Sequence, residues 1–208
     1  QNNTNNPTGT TMAAYAPAVT ATYKLQNQQY TNISGLSGVY ANGIVFGSLA
    51  NSTAGLLYNQ MGSVGSANAT NFSSSPYTIG NGISLTSNYG PYIKLATRPL
   101  LNAAAPLNGS YYYGDLTIEF NQAVNYPILQ MADFGGFYTS GSTHAFSLQA
   151  KVMSGQTLTR LSGDTGVTLV GTDSIASSVS GTTATSNFLD GSFMVNANGV
   201  TSITLRLY

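Results

Sequence analysis

Leu116-Thr117-Ile118-Glu119-Phe120 is the stretch that decides the reading of this chain, because apolar and polar side chains alternate in it without a break. A period of two places successive side chains on opposite faces of a strand, one toward a core and one toward water. The same alternation runs through Val19, Ala21, Tyr23 and Leu25, set against Thr20, Thr22 and Lys24. It returns at Phe146, Leu148, Ala150 and Val152, and again at Ile203, Leu205 and Leu207. No window of helix length carries apolar residues spaced by three and four. Between the runs lie Gly80-Asn81-Gly82, Asn108-Gly109, Gly135-Gly136, Ser162-Gly163-Asp164 and Asn198-Gly199, built from residues that tolerate the positive φ of tight turns. Residues 77–85 read as two short strands around the first of them. The expected fold is all-β, an antiparallel β-sandwich of jelly-roll or immunoglobulin-like type.

Charge narrows the function. Of 208 residues, six are Lys or Arg and six are Asp or Glu, for a net charge of zero, whereas roughly a quarter of a soluble domain is ordinarily charged. Ser, Thr, Asn and Gly must keep this surface wet. Nucleic acid and anionic membranes are both gripped by clustered Lys and Arg, and here the few basic residues are scattered from Lys24 to Arg206. Neither is an expected partner, and no apolar run approaches the length of a membrane span. Cysteine is absent, which removes disulfides, thiolate nucleophiles and sulfur-rich zinc sites together. Residues 19–208 read as a single domain preceded by a polar tail, 1–18. Residues 1–11 and 174–187 are Ser-, Thr- and Asn-rich and have the composition of linkers or long loops.

Catalytic chemistry finds few candidates. His144 is the only histidine, falls in phase with Phe146 and Leu148, and reads as a strand residue; no G-x-S-x-G elbow occurs. Glycosidase chemistry needs two carboxylates facing one another across a cleft, and Asp115 and Glu119, four positions apart on one strand, stand about 13 Å from each other. Asp133, Asp164 and Asp190 each neighbour glycine, where an aspartate closes turns through the backbone, and no dense acidic calcium loop is present. No cofactor and no metal are expected. The binding candidates are Tyr111, Tyr112 and Tyr113, with Asp133. Three consecutive tyrosines on a strand cannot all face one core, and a ring left outside suits sugars and protein surfaces alike. Asn-x-Ser/Thr triplets at Asn2, Asn32, Asn51, Asn68, Asn71 and Asn108 are possible N-glycosylation sites.

Leu116, Ile118, Phe120, Val124 and Pro127 are followed by Asp133-Phe134-Gly135-Gly136, Phe146-Ser147-Leu148, Leu158, Leu161-Ser162-Gly163-Asp164, Gly191-Ser192 and the closing strand from Val200 to Leu205. In this order they resemble a recurrent β-sandwich module of large bacterial surface proteins and adhesins, over residues 116–208. The resemblance implies an exported, non-catalytic module used for attachment or for building surface appendages. An extracellular adhesin or filament subunit is the first expectation, with other copies or other surface subunits as partners. In its concrete form Val19, Ala21, Tyr23 and Leu25 fill pockets of a neighbouring subunit by strand addition. A carbohydrate-binding module on Tyr111–Tyr113, with glycans as partners, is the alternative.

Overall fold

Strands recur through the parts of the chain that the structure, a computed structural model, describes: residues 17–34, 41–49, 57–58, 61–63, 71–77, 79–80, 89–106, 109–140, 142–178 and 189–208. The first half forms β1 (Ala21–Gln26), β2 (Ile44–Phe46), β3 (Ser48–Leu49), β4 (Leu57–Tyr58), β5 (Met61–Ser63), β6 (Tyr89–Pro91) and β7 (Ile93–Leu95). A single helical turn, α1 (Arg98–Asn102), follows with proline in its first turn, where the missing N–H is not needed. The second half is richer in strand, with β8 (Gly114–Val124), β9 (Ile128–Met131), β10 (Gly136–Ser140), β11 (Ser142–Phe146), β12 (Gln149–Val152) and β13 (Leu158–Gly163). It closes with β14 (Val167–Val170), β15 (Ser174–Ser177), β16 (Gly191–Val195) and β17 (Val200–Leu207). The fold is all-β, and every pairing is antiparallel. Among the described residues no helix is long and apolar enough to cross a membrane.

A six-stranded sheet in the order β1-β8-β17-β12-β15-β14 organises the molecule, beside a three-stranded sheet β13-β16-β9, the hairpin β10-β11 and three two-stranded ladders. Register carries apolar rows across the large sheet. Leu25 lies opposite Leu116, Leu116 opposite Leu205, and Leu205 opposite Val152. A second row runs from Leu207 through Ala150 and Ile175 to Leu169. These residues share one hydrophobic cluster with Leu129, Leu158, Phe193 and Val195 of the three-stranded sheet. The opposite face of the large sheet is polar: Gln26, Asp115, Arg206, Lys151 and Ser174 stand side by side on successive strands.

Three expectations from the sequence are corrected. The run at Phe146, Leu148, Ala150 and Val152 is not one strand: β11 ends at Phe146 and β12 begins at Gln149, in different sheets. The chain crosses between them at Ser147 and Leu148, where the Leu148 N–H donates to the Ser177 hydroxyl at 2.8 Å. Part of the presumed loop at 174–187 is a strand: Ser174–Ser177 lies between β12 and β14 with Ile175 fully buried. One large side chain in four residues gives no legible period, and pairing on both sides supplies what composition does not. Tyr77, Ile79 and Gly80 sit in a turn, not a strand; residues 81–88 lie outside the described residues, as does the tail 1–16.

Phe193 is completely buried at the middle of the three-stranded sheet. Phe193→Ala removes an aromatic ring that joins the two sheets' apolar faces, so a loss of about 3–5 kcal/mol is expected in urea unfolding. A loss below about 1 kcal/mol would show that the two sheets do not share that core.

Candidate functional site

Three of the four residues singled out in the first alternating run pack on their own chain. β1 lies antiparallel to β8 over six residues, and Val19, Tyr23 and Leu25 pack against the core while Ala21 is exposed. The approach to β1 is held by side chains of β8: Asn121 Nδ2 donates to the Ala18 carbonyl at 3.1 Å, and the Thr20 N–H donates to Asn121 Oδ1 at 2.9 Å. The Asn121 N–H donates to the Thr20 carbonyl, which sets the phase of the ladder. In an antiparallel pair the hydrogen-bonded positions alternate, so Thr22, Lys24 and Gln26 direct their backbone groups to β8. Ala21, Tyr23 and Leu25 direct theirs away from the sheet. Among the described residues nothing meets them.

The opposite edge is partly blocked. On β14 the same phase argument, fixed by the Ser178 N–H donating to the Gly166 carbonyl, turns Val167 and Leu169 outward. The Val167 N–H donates to the Asp164 carbonyl at 3.0 Å, and Arg160 Nε donates to the Val167 carbonyl at 2.9 Å. The same guanidinium also donates to the carbonyls of Gly163 and Asp164. A charged side chain plugged into an edge blocks a further strand. Among the described residues, then, the β14 edge is blocked at Val167, whereas no described group meets the outward backbone of β1.

A charged cluster on the polar face anchors the end of β1. Asp115, at 4% exposure, sits on β8 between Gln26 and Arg206. Its carboxylate accepts from Arg206 Nε at 3.0 Å and from Asn27 Nδ2 at 2.8 Å, the residue that follows β1 with a positive φ of 53°. Burial raises the Asp115 pKa, but the hydrogen bonds and the Arg206 charge outweigh it and hold the carboxyl below its ordinary value. Beside it Thr117 bridges the strands, donating to Gln26 Oε1 at 3.0 Å and lying 3.1 Å from the Thr204 hydroxyl. Lys24 and Glu119 pair at 2.6 Å on the same face, both nearly half exposed; such a surface pair contributes little to stability, yet it neutralises the one charge on β1.

The three tyrosines precede β8 and are not part of the strand, yet their side chains still alternate. Tyr113 turns into the core at 4% exposure, donates its hydroxyl to the Ala96 carbonyl at 3.1 Å and meets the Tyr30 ring edge-on. Burial, with Tyr30 adding to it, pushes its phenol up to about 12. Tyr111 packs against the cluster and donates to the Pro106 carbonyl at 2.6 Å. Tyr112 alone turns to the polar face, where the Arg206 guanidinium lies 4.7 Å above its ring and the Tyr208 ring 6.0 Å away. Its hydroxyl is buried beside Asp115 without a hydrogen bond of ordinary geometry. Asn27, Arg206 and Tyr208 were not found from sequence, since nothing local ties them to residues about ninety positions away.

Asp133 does not join this site. It lies between β9 and β10, and its N–H donates to Asp190 Oδ1 at 3.1 Å, while the Asp190 N–H donates to Asp164 Oδ2 at 2.8 Å. Gly163 makes that approach feasible: at φ +135° a Cβ would come within 2.5 Å of the Asp190 carbonyl oxygen. Burial pushes the Asp133 and Asp190 carboxyls up, and in Asp190 the neighbouring aspartates add to it. Among the described residues no group of His, Asp and Glu is placed to hold a metal ion. Asn71 Nδ2, the atom a glycan would occupy, donates to Asp164 Oδ2 at 3.1 Å, whereas Asn32 is exposed. Asn2, Asn51, Asn68 and Asn108 lie outside the described residues, as does the side chain of His144, which stands on β11 opposite Tyr138. Comparison with known proteins found no family, no curated relative and no solved structure that matches the chain.

Acid should act on this site in a defined direction. With its pKa depressed in the fold, Asp115 contributes stability that is complete above the ordinary carboxylate value and lost as pH falls through the depressed one. Asp133 and Asp190 act oppositely: raised in the fold, they favour it once protonated and lose that contribution as pH rises. The difference in unfolding free energy between wild type and Asp115→Asn isolates the first. It should hold steady at neutral pH and shrink below the ordinary carboxylate value; a difference independent of pH contradicts the assignment.

Proposed function

We propose that the chain is a non-catalytic extracellular surface protein, a β-sandwich subunit that mediates attachment and assembles by β-strand addition. One observation carries the reading. Of the two edges of the organising sheet, β14 is blocked at Val167 by Asp164 and Arg160, while β1 offers three alternate outward positions, Ala21, Tyr23 and Leu25, that no described residue meets. Natural sheets ordinarily blunt such edges, so an edge that carries no such plug among the described residues favours use. The partner strand gains main-chain hydrogen bonds from the edge, and Val19, Tyr23 and Leu25 present apolar surface on the core side. The low charge supports an exported role. In the single chain β1 completes its own sheet, so addition proceeds on its outer side rather than by leaving β8 bare.

Ala21→Pro tests this at little structural cost. The N–H it removes points away from β8, and proline is tolerated at edge positions of this kind. Displayed on a non-adherent cell, the wild-type chain should promote clumping or film formation, and Ala21→Pro should abolish it while the unfolding midpoint changes little. Equal attachment by both chains contradicts the proposal.

The exposed parts of Tyr112 and Tyr208, with Arg206 between a ring and a carboxylate, favour a second reading, a glycan-binding patch on the polar face. Aromatic faces beside a hydrogen-bonding guanidinium suit a sugar ring. On a glycan array Tyr112→Ala should lose whatever binding the wild type shows, with Tyr111→Ala unaffected; binding that survives Tyr112→Ala removes this reading.

A further inference from the structure

The edge of β1, which no described residue meets, is self-complementary. Read against itself in the antiparallel sense, Ala21-Thr22-Tyr23-Lys24-Leu25-Gln26 places Tyr23 opposite Tyr23 of a second copy, Ala21 opposite Leu25, and Thr22 opposite Lys24. All three outward positions then meet outward positions, each a hydrogen-bonded pair in which both N–H and C=O are used. We propose that the strand received by this edge is β1 of a second copy, joined about a two-fold axis at Tyr23 so that the two six-stranded sheets become one. This rests on the proposed strand addition and names its partner.

Charge selects the register. Sliding the second strand by one pair toward its Gln26 end brings Lys24 against Lys24, and like charges directly opposite are destabilising. Sliding it the other way puts Leu25 opposite Val19, which precedes the strand, so a pair is lost. A parallel arrangement in register again sets the two lysines side by side. In the two-fold register Lys24 meets only Thr22, and its own charge is already met by Glu119 at 2.6 Å. On the core side the two half-buried Tyr23 rings become neighbours, each with Leu25 and Ala21 diagonal to it. The interface is one strand wide. Interfaces of that size are weak in solution, and many copies on one surface strengthen them by multivalency.

A chain without cysteine makes the register directly readable. In Tyr23→Cys the two thiols sit on a hydrogen-bonded pair with Cα atoms about 5.5 Å apart, inside the range a disulfide spans. In Lys24→Cys the equivalent atoms are offset by two residues along the strands, about 8 Å apart, and cannot be joined without backbone movement. Under mild oxidation Tyr23→Cys should become a covalent dimer and Lys24→Cys should stay monomeric. Should Tyr23→Cys not fold, the Ala21→Cys/Leu25→Cys double variant, whose residues face each other across the axis, gives the same readout. Wild type should also show a dimer in sedimentation that dissociates on dilution, absent in Ala21→Pro. Equal cross-linking of positions 23 and 24, or none at either with the double variant also unlinked, overturns the inference. If cross-linking fails while Ala21→Pro still abolishes attachment, the edge takes a different strand and the functional reading stands. If cross-links form while attachment is unchanged, the dimer stands and the functional reading falls.

Discussion

Everything in the larger sheet depends on β8 being paired on both sides. Its eleven residues receive β1 on one flank and β17 on the other, so segments about ninety positions apart in sequence become neighbours through it. One face of this three-strand unit supplies Leu116, Ile118, Ile203 and Leu205 to the core. The other face carries Asp115, Thr117 and Glu119, each meeting a partner from a flanking strand. A buried carboxylate is expensive unless paired and hydrogen-bonded, and Asp115 is both. The same bonds that satisfy it tie Arg206 of β17 and Asn27, at the end of β1, to β8.

A chain with so few charges uses hydroxyls and amides where another would use ion pairs. On the three-stranded sheet Ser162, Ser192 and Gln130 lie on successive strands and hold a stretch of the first half against it. The Ser73 N–H donates to the Ser192 hydroxyl at 2.9 Å, Gln130 Nε2 donates to the Ser73 carbonyl at 2.7 Å, and the hydroxyls of Ser73 and Ser162 lie 2.7 Å apart. Ser73 and Ser192 have no exposure at all. Buried polar groups of this kind fix geometry because leaving any one of them unpaired is costly. The first half of the chain is thus fastened partly by polar rows that no hydrophobic pattern announces.

The legibility of the sequence follows from that chemistry. Strands with one apolar face and one polar face, β1, β8 and β17, alternate cleanly and could be read directly. β15 could not, because Ile175 is its only large apolar side chain and its neighbours on both flanks do the rest. The run from Phe146 to Val152 keeps the period of one strand through a crossing between sheets, so period alone misreads it. Three tyrosines in sequence were bound to part company, but which one faces outward depends on the register of β8, and the geometry gives that place to Tyr112. Its partners Arg206 and Tyr208 come from the far end of the chain, and no local signal links them to it.

The open edge at β1 is the claim on which the functional account stands, and amide hydrogen exchange reads it residue by residue. In dilute protein the amides of Thr22, Lys24 and Gln26 should exchange slowly and those of Ala21, Tyr23 and Leu25 fast, with the second set slowing as concentration rises. Protection of Ala21, Tyr23 and Leu25 at high dilution, or exchange at those positions that ignores concentration, would contradict it.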